Sequence, residues 1–435
     1  MALAAGVRVK KLLTKPAASV LRLTLATLST MYQSSVAFEA PLPPRMFFAA
    51  DGLALENKCV FETTWQMVGL ASSIAKSGQY ISTNIGDVPV VVRNFDGKLV
   101  ALRNVCAHRH CTLVSAQQGQ SEKLKCPFHG WEYGADGRTR KIPAAKNFPD
   151  FDRERYRLAS FEFACCGDLM FVRVVPGGPS LHEWLGELFD KMAAWTALPD
   201  WKPVVSRSLP MKVNWKIPVE GSLESYHIPE VHRQTFGEDP GESKSDHAFS
   251  KYTTSFFTAF NTPRFVDKLL KVYERFILSI LGAPFSASYE HHHIFPNLLI
   301  SHTSSLTLVQ TVRPVNEEAS VSDVWQFGRQ SVRRNPFSWM TAFLWGRLTG
   351  WLSYQILKED ILIFPQVQRG ERASTERSIL GRCEERLYAF EKFLHDQIEQ
   401  QKGCGTSTNS IQTSAACSTV GTTCSHESRD VEASK

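Results

Sequence analysis

Between Trp65 and Val174 the chain alternates short apolar, β-branched runs with polar turns. Gln79–Thr83, Val88–Arg93 and Leu99–Arg103 read as strands, with Asn94-Phe-Asp-Gly97 as the turn between the last two. A second turn, Gly134-Ala-Asp-Gly137, comes later, and Phe171–Val175 closes the pattern before a Pro176-Gly-Gly-Pro179 linker. Beyond the linker the period lengthens. Helices are predicted over Ser180–Trp195, Pro263–Leu281 and Arg377–Gln401, and strands over Glu290–Phe295 and Leu298–Val315. Thr262 as N-cap, with Pro263 in the first helical position, marks the start of the middle helix. The apolar segment Trp339–Ile356, within Pro336–Ile363, is interrupted by Arg347 and two glycines. That predicts a buried amphipathic helix rather than a bilayer span. Residues 41–64, with Pro41, Pro43 and Pro44, read as an irregular lead-in.

With 435 residues the chain has room for two domains with separate cores, and 43% hydrophobic with 21% charged residues are globular values. Its net charge of +6 is largely N-terminal, because Arg8, Lys10, Lys11, Lys15 and Arg22 precede the first acid, Glu39. The remainder is near neutral, so nothing points to a nucleic-acid partner. Ten cysteines in a chain this long make no disulfide scaffold and suit a reducing compartment. Residues 1–40 are basic, rich in Ser and Thr and almost free of acids, the composition of an organellar targeting segment. Ser35-Val-Ala-Phe38 is similar to the processing site of complex-plastid presequences, so a chloroplast or plastid location is expected, with mitochondrion or cytoplasm as alternatives. Residues 402–435 form a Ser/Thr-rich tail with too little apolar surface to fold alone.

The chemistry lies in two places. Cys106-Ala-His108 is followed, after seventeen residues, by Cys126-Pro-Phe-His129. Each half offers one thiolate and one imidazole, both on loops at the tips of predicted hairpins. A zinc finger would keep cysteines and histidines in separate pairs. Cys106 and Cys111 stand at the plant-ferredoxin spacing C-x4-C, but its C-x2-C continuation is missing. A [2Fe–2S] centre with two thiolates on one iron and two neutral imidazoles on the other fits the mixed pairs. Less anionic sulfur raises its potential, to roughly −150 to +300 mV. This segment, with Gly130-Trp131 following, resembles the Rieske domain.

The second place is Glu224-Ser-Tyr-His227-Ile-Pro-Glu-Val-His232. Glu224 and His227 are three apart, expected on one helical face, with Pro229 straining the helix so that His232 swings back beside His227. Ferrous iron that activates dioxygen typically takes two histidines and one carboxylate on one face. Asn214-Trp-Lys followed by this E-x2-H-x4-H run resembles the catalytic-domain signature of Rieske non-haem iron oxygenase α subunits, of the choline/carnitine monooxygenase or aromatic ring-hydroxylating type. The resemblance implies that Asp360, in Glu359-Asp360-Ile-Leu-Ile-Phe-Pro365-Gln-Val-Gln-Arg-Gly370, completes the metal set His227, His232 and Asp360. Pro365 stands where that family usually has glutamate. It further implies that Glu224, where aspartate is usual, bridges His227 and a cluster histidine of a neighbouring subunit in a trimer. His291, His292 and His293 alternate faces along a strand, so they cannot form one ligand set.

The expected fold is α+β: an N-terminal antiparallel-β Rieske domain over 41–178 (core 65–174), then a mononuclear-iron catalytic domain over 179–401, with an antiparallel sheet flanked by helices in the helix-grip manner. The expected cofactors are a [2Fe–2S] cluster on Cys106, His108, Cys126 and His129, and a mononuclear Fe(II). No nucleotide fingerprint G-x-G-x-x-G follows a strand, so electrons come from a separate reductase or ferredoxin. The expected activity is dioxygen-dependent hydroxylation of a small organic substrate, a quaternary amine such as choline or, alternatively, an aromatic ring. An aromatic cage from Phe256, Phe257, Phe260, Trp325 and Phe327 would serve the first. A Rieske electron carrier lacking mononuclear iron, and a zinc-knuckle scaffold, are the readings from other classes.

Overall fold

The protein is described from a computed structural model, which covers residues 38–233, 235, 245–259, 265–333 and 335–405. The expected N-cap Thr262, with Pro263, and most of both terminal segments lie outside the described residues. The N-terminal part runs through β1 (Phe38–Glu39), α1 (Ala50–Glu56), β2 (Gln66–Leu70), β3 (Gln79–Ile85) and β4 (Val88–Phe95). It continues with β5 (Lys98–Arg103), β6 (Gln118–Gln120), β7 (Leu124–Lys125), β8 (Glu132–Tyr133), β9 (Thr139–Lys141), β10 (Glu162–Cys166) and β11 (Leu169–Arg173). These make three antiparallel sheets, ordered β5-β4-β3-β6, β7-β8-β9 and β10-β11-β2.

Next come α2 (Leu181–Leu185), α3 (Leu188–Trp195), β12 (Trp201–Met211), α4 (Lys216–Gly221), α5 (Ile228–Val231), β13 (Ser245–Phe249) and β14 (Thr253–Ala259). The chain continues through α6 (Phe265–Leu281), β15 (Ser288–Ile294), β16 (Leu298–His302), β17 (Leu306–Asn316), β18 (Ala319–Arg329), α7 (Pro336–Ala373), β19 (Ile379–Leu380) and α8 (Glu385–Gly405). A seven-stranded antiparallel sheet, β12-β18-β17-β16-β15-β14-β13, organises this part. Its register lines up Val205, Gln326, Leu308, Ser301, His291 and Phe256 across one face. The helices α7 and α8 cover that face: Gly350 sits against Val205, and Arg386 donates to His291 Nδ1 at 2.8 Å. The architecture is α+β, as expected.

Several details differ from the sequence expectation, each for a local reason. The helix foreseen over Ser180–Trp195 is two helices, broken at Gly186 with φ +54°. The strand foreseen over Leu298–Val315 is a hairpin, because Thr303, Ser304 and Ser305 turn the chain and Thr303 Oγ1 accepts from Leu306 N. The lead-in carries α1, whose Glu56 is fully buried. The last helix begins at Glu385 rather than Arg377 and runs to Gly405, past the expected start of the tail. Nor do the cores separate at residue 178. Met170 and Phe171 share one hydrophobic core with Trp215 and Phe390, while Leu102, Leu124, Trp131 and Tyr133 form a smaller second one around Cys106 and Cys126. The Pro176–Pro179 segment is pinned, with Pro179 O accepting from both Trp65 Nε1 and Arg173 Nη1. Among the described residues no helix is long and apolar enough to cross a membrane.

Candidate metal centres

Two loops of the same construction present the first set of donors. Cys106 N donates to Cys111 O, and Cys126 N to Trp131 O, both at 2.8 Å. Each cysteine carbonyl accepts from the residue four further on, His110 N and Gly130 N, both at 3.0 Å. These closing residues are left-handed, with φ +58° at His110 and +73° at Gly130, which suits glycine and costs histidine conformational energy. The loops bring the His108 and His129 rings to 4.7 Å between centroids. The rings of His108 and Trp131 lie 4.8 Å apart and 2° from parallel. Cys106 and Cys126 are buried, His108 is half-buried and His129 is exposed.

The donor set fits a thiolate–imidazole cluster. Both cysteines are free thiols, and His108 Nδ1 is buried without any protein partner, an atom that would be costly there unless something else satisfied it. Burial first, then the nearby His129 and Arg109, lowers the His108 pKa and favours the neutral imidazole a metal requires. Tyr133, which the sequence reading did not single out, holds its hydroxyl 3.0 Å from Cys106 Sγ and accepts from Ala107 N at 3.0 Å. Burial, outweighing the Tyr133 hydrogen bond, raises the Cys106 thiol pKa in the metal-free chain.

The second set is assembled from two distant segments. Glu224 is not on a helix with His227, contrary to expectation: α4 ends at Gly221, and a turn carries Glu224 to His227, the N-cap of α5. Pro229 therefore strains nothing, since it occupies the first turn of α5, where an amide N–H would have no helical partner. This short turn of helix returns His232 beside His227, with ring centroids 5.1 Å apart. Asp360 comes from α7, which runs on through Pro365 to Ala373, so the proline does not end the helix. Ligand atoms of His227, His232 and Asp360 all lie within 4.8 Å of one another. The Nε2 atoms of His227 and His232 face Asp360 Oδ1 at 3.7 and 3.0 Å.

The other ring nitrogens are each held by a carboxylate. His227 Nδ1 pairs with Glu224 Oε1 at 2.5 Å, and His232 Nδ1 with Glu359 Oε2 at 2.8 Å. Glu359 was not foreseen; standing next to Asp360 it reads as one more solvated helix acid. Burial disfavours the charged form of His232, but the bonds and charges of Asp360 and then Glu359 outweigh it and raise its pKa. Two imidazoles with Nδ1 held and Nε2 turned toward one carboxylate form a facial donor set for a divalent iron.

A small hollow of about 10 Å³, room for about one water, lies between the sheet and α7. Its helical lining, Gly350, Ser353, Tyr354 and Leu357, belongs to the stripe that reaches Asp360 three residues on. The sheet contributes Arg207, whose guanidinium lies 4.6 Å from the Tyr354 ring, and Gln326, whose Oε1 is buried without a partner. Trp325 and Phe327 alternate to the opposite face from the lining residues Val324 and Gln326, and Phe257 likewise faces away from Phe256. Phe260 lies outside the described residues. The three adjacent histidines serve strand packing: His291 takes Arg386, His292 pairs with Ser255 and Glu290, and His293 donates to Pro296 O.

Comparison with known proteins agrees in both regions. Residues 64–162 match the family described as "Rieske [2Fe-2S] domain", and residues 198–400 the "Ring hydroxylating alpha subunit (catalytic domain)". The chain is 32% identical over 191 residues to the glycine betaine monooxygenase oxygenase subunit of Chromohalobacter salexigens, covering 43% of this chain and 41% of that protein. It is 30% identical over 202 residues to the chloroplastic choline monooxygenase of Spinacia oleracea, covering 45% and 46%. The match thus spans less than half the length of either relative. The crystal structure of the quaternary ammonium Rieske monooxygenase CntA in complex with L-carnitine superposes with a TM-score of 0.66 at 18% identity, over 83% of this chain and 96% of that one, a likeness of fold.

Proposed function

Because this chain belongs to the Rieske oxygenases of the ring-hydroxylating α-subunit type, we propose that it is a terminal oxygenase that hydroxylates a small organic substrate with dioxygen. The observation that carries this reading is the convergence of His227, His232 and Asp360 within 4.8 Å, in a chain that also has the paired Cys/His loops. Cys106, His108, Cys126 and His129 hold the [2Fe–2S] cluster; His227, His232 and Asp360 hold the Fe(II). When bound, these groups supply stored single electrons and dioxygen activation. Around them the side chains have defined tasks. Glu224 and Glu359 accept from the Nδ1–H groups of His227 and His232, which presents both Nε2 atoms to the metal. Tyr133 steadies the Cys106 sulfur, and Trp131 stacks on His108.

In this reading the cluster-binding part gives way to the iron-binding part near residue 178 along the chain, over a shared hydrophobic core, with Glu224 also reaching a cluster histidine of a neighbouring copy in a head-to-tail trimer. Exposed His129, beside Phe128 at 54% exposure, suits such a contact. A separate reductase or ferredoxin supplies electrons. A plastid location is part of the proposal, supported by the basic, acid-poor N-terminal segment and by relatives named chloroplastic. The substrate follows the relatives' names as a quaternary amine such as choline. The second reading is an aromatic ring as substrate, supported by the match to the ring-hydroxylating catalytic domain.

Anaerobic iron analysis separates the oxygenase from a bare electron carrier, with three irons per chain expected against two. The His227→Ala variant should keep the Rieske visible spectrum and lose substrate-dependent oxygen uptake. Retention of both would defeat the assignment. Oxygen uptake by the reduced protein over a panel of quaternary amines and aromatic acids decides between the two substrate classes.

A further inference from the structure

The helix foreseen as buried exposes one side along its first half. On α7 Trp339, Phe343 and Trp351 are 56%, 58% and 56% exposed, and on the adjoining α6 Val272, Tyr273 and Phe276 are 63%, 53% and 62% exposed. Trp339 and Phe343 are four apart and Tyr273 and Phe276 three apart, so each pair shares one helix side, and with Trp351 and Val272 they make an exposed apolar face of the kind that marks an interaction site. The charge of its α7 half is one-sided. From Pro336 to Leu357 the chain has no acid, and its single charge is Arg347, with the guanidinium 5.6 Å from the Phe343 ring. On α6 the acid Glu274 turns inward to Ser305 Oγ at 2.6 Å. At the C-terminal end of α6, exposed Arg275 and Arg333 line a partly open hollow with Ser279 and Gly282, of about 430 Å³.

We propose that the α6–α7 face docks on an anionic phospholipid bilayer, lying in its surface rather than crossing it. Aromatic and aliphatic side chains sink to the headgroup boundary, while Arg275, Arg333 and Arg347 meet lipid phosphates. Trp and Tyr are the side chains that favour this boundary. Neither helix spans a bilayer. A two-fold contact of this face with itself is the poorer occupant, because it brings the Arg275, Arg333 and Arg347 cations of both copies together.

Flotation of the full-length, iron-loaded protein with vesicles tests this. Binding is expected to mixed phosphatidylglycerol–phosphatidylcholine vesicles, and to weaken about tenfold or more on phosphatidylcholine alone. Trp339→Glu with Phe343→Glu should abolish flotation and leave the visible cluster spectrum intact. Arg275→Glu with Arg333→Glu should remove the anionic preference. The proposal fails if monodisperse wild-type protein floats with neither vesicle. It also fails if the Trp339/Phe343 variant falls to a smaller oligomer in sedimentation while vesicle binding persists, which would make the face a contact between copies.

Discussion

At the scale of single residues, the Tyr133 phenol stands where one hydroxyl would tune a proposed metal ligand. Its oxygen accepts from Ala107 N, so its own proton is directed at Cys106 Sγ, 3.0 Å away. Burial and then the Cys106 contact push its pKa far above the usual phenol range, which keeps that proton in place at any working pH. A hydrogen bond to an ionised partner contributes about 1.5 kcal/mol. Because it stabilises the more negative, reduced cluster, Tyr133→Phe should lower the cluster potential by about 60 mV, read in a spectroelectrochemical titration. An unchanged potential would mean that the hydroxyl only packs. The four proposed cluster residues could be picked out in the sequence because each pair sits within four residues on one loop. Tyr133 and Glu359 could not, since each acts on a partner fixed by the tertiary fold.

At the scale of elements, α7 is shaped by glycines of opposite meaning. A methyl group on Gly350 would meet Val205 Cγ2 at 2.4 Å, and Val205 is β-branched on the facing strand with little freedom to yield. Gly370, on the same helix, has nothing within 4 Å of such a methyl. Gly350→Ala should therefore destabilise by roughly 1–2 kcal/mol, overpacking outweighing the gain in helix propensity. Gly370→Ala should stabilise by roughly 0.5–1 kcal/mol. Urea unfolding of the two variants checks both signs. The sequence predicted this helix from its apolar content but misjudged its burial, because apolar content does not say which stripe finds a partner. Gly346 and Gly350 do: they mark where the sheet comes close.

At the scale of the whole molecule, buried charge ties the N-terminal part to the catalytic part. Lys216 Nζ meets Glu56 Oε1 at 2.6 Å, both side chains fully buried, and Trp215 Nε1 donates to the other Glu56 oxygen at 2.7 Å. The Asn214-Trp-Lys run is thus a clasp, with Asn214 N donating to Gln368 Oε1 on α7. Nearby, burial pushes the Glu391 carboxyl up from 4.5 to about 7, despite a hydrogen bond from Leu42 N. Its proton is held more tightly in the folded state than in the unfolded one. The stabilisation is complete below pH about 4.5 and is lost as pH rises toward about 7. Glu391→Gln should remove that part of the decline. The variant should gain on the wild type between those pH values in denaturant titrations, and parallel curves would refute the linkage.

By itself the sequence determined the donor types, the spacing that pairs them, the alternation that makes the sheets and the order of the two regions. These are local properties, set by neighbours a few residues apart. Only the tertiary structure decided that Asp360 faces His227 and His232, that Glu359 holds His232, and that a helix rich in Trp and Phe turns one side to solvent. Each of those depends on where α7 lies against the sheet and the α4–α5 loop. That placement follows from side-chain shapes across more than a hundred residues of separation, which no short-range pattern carries.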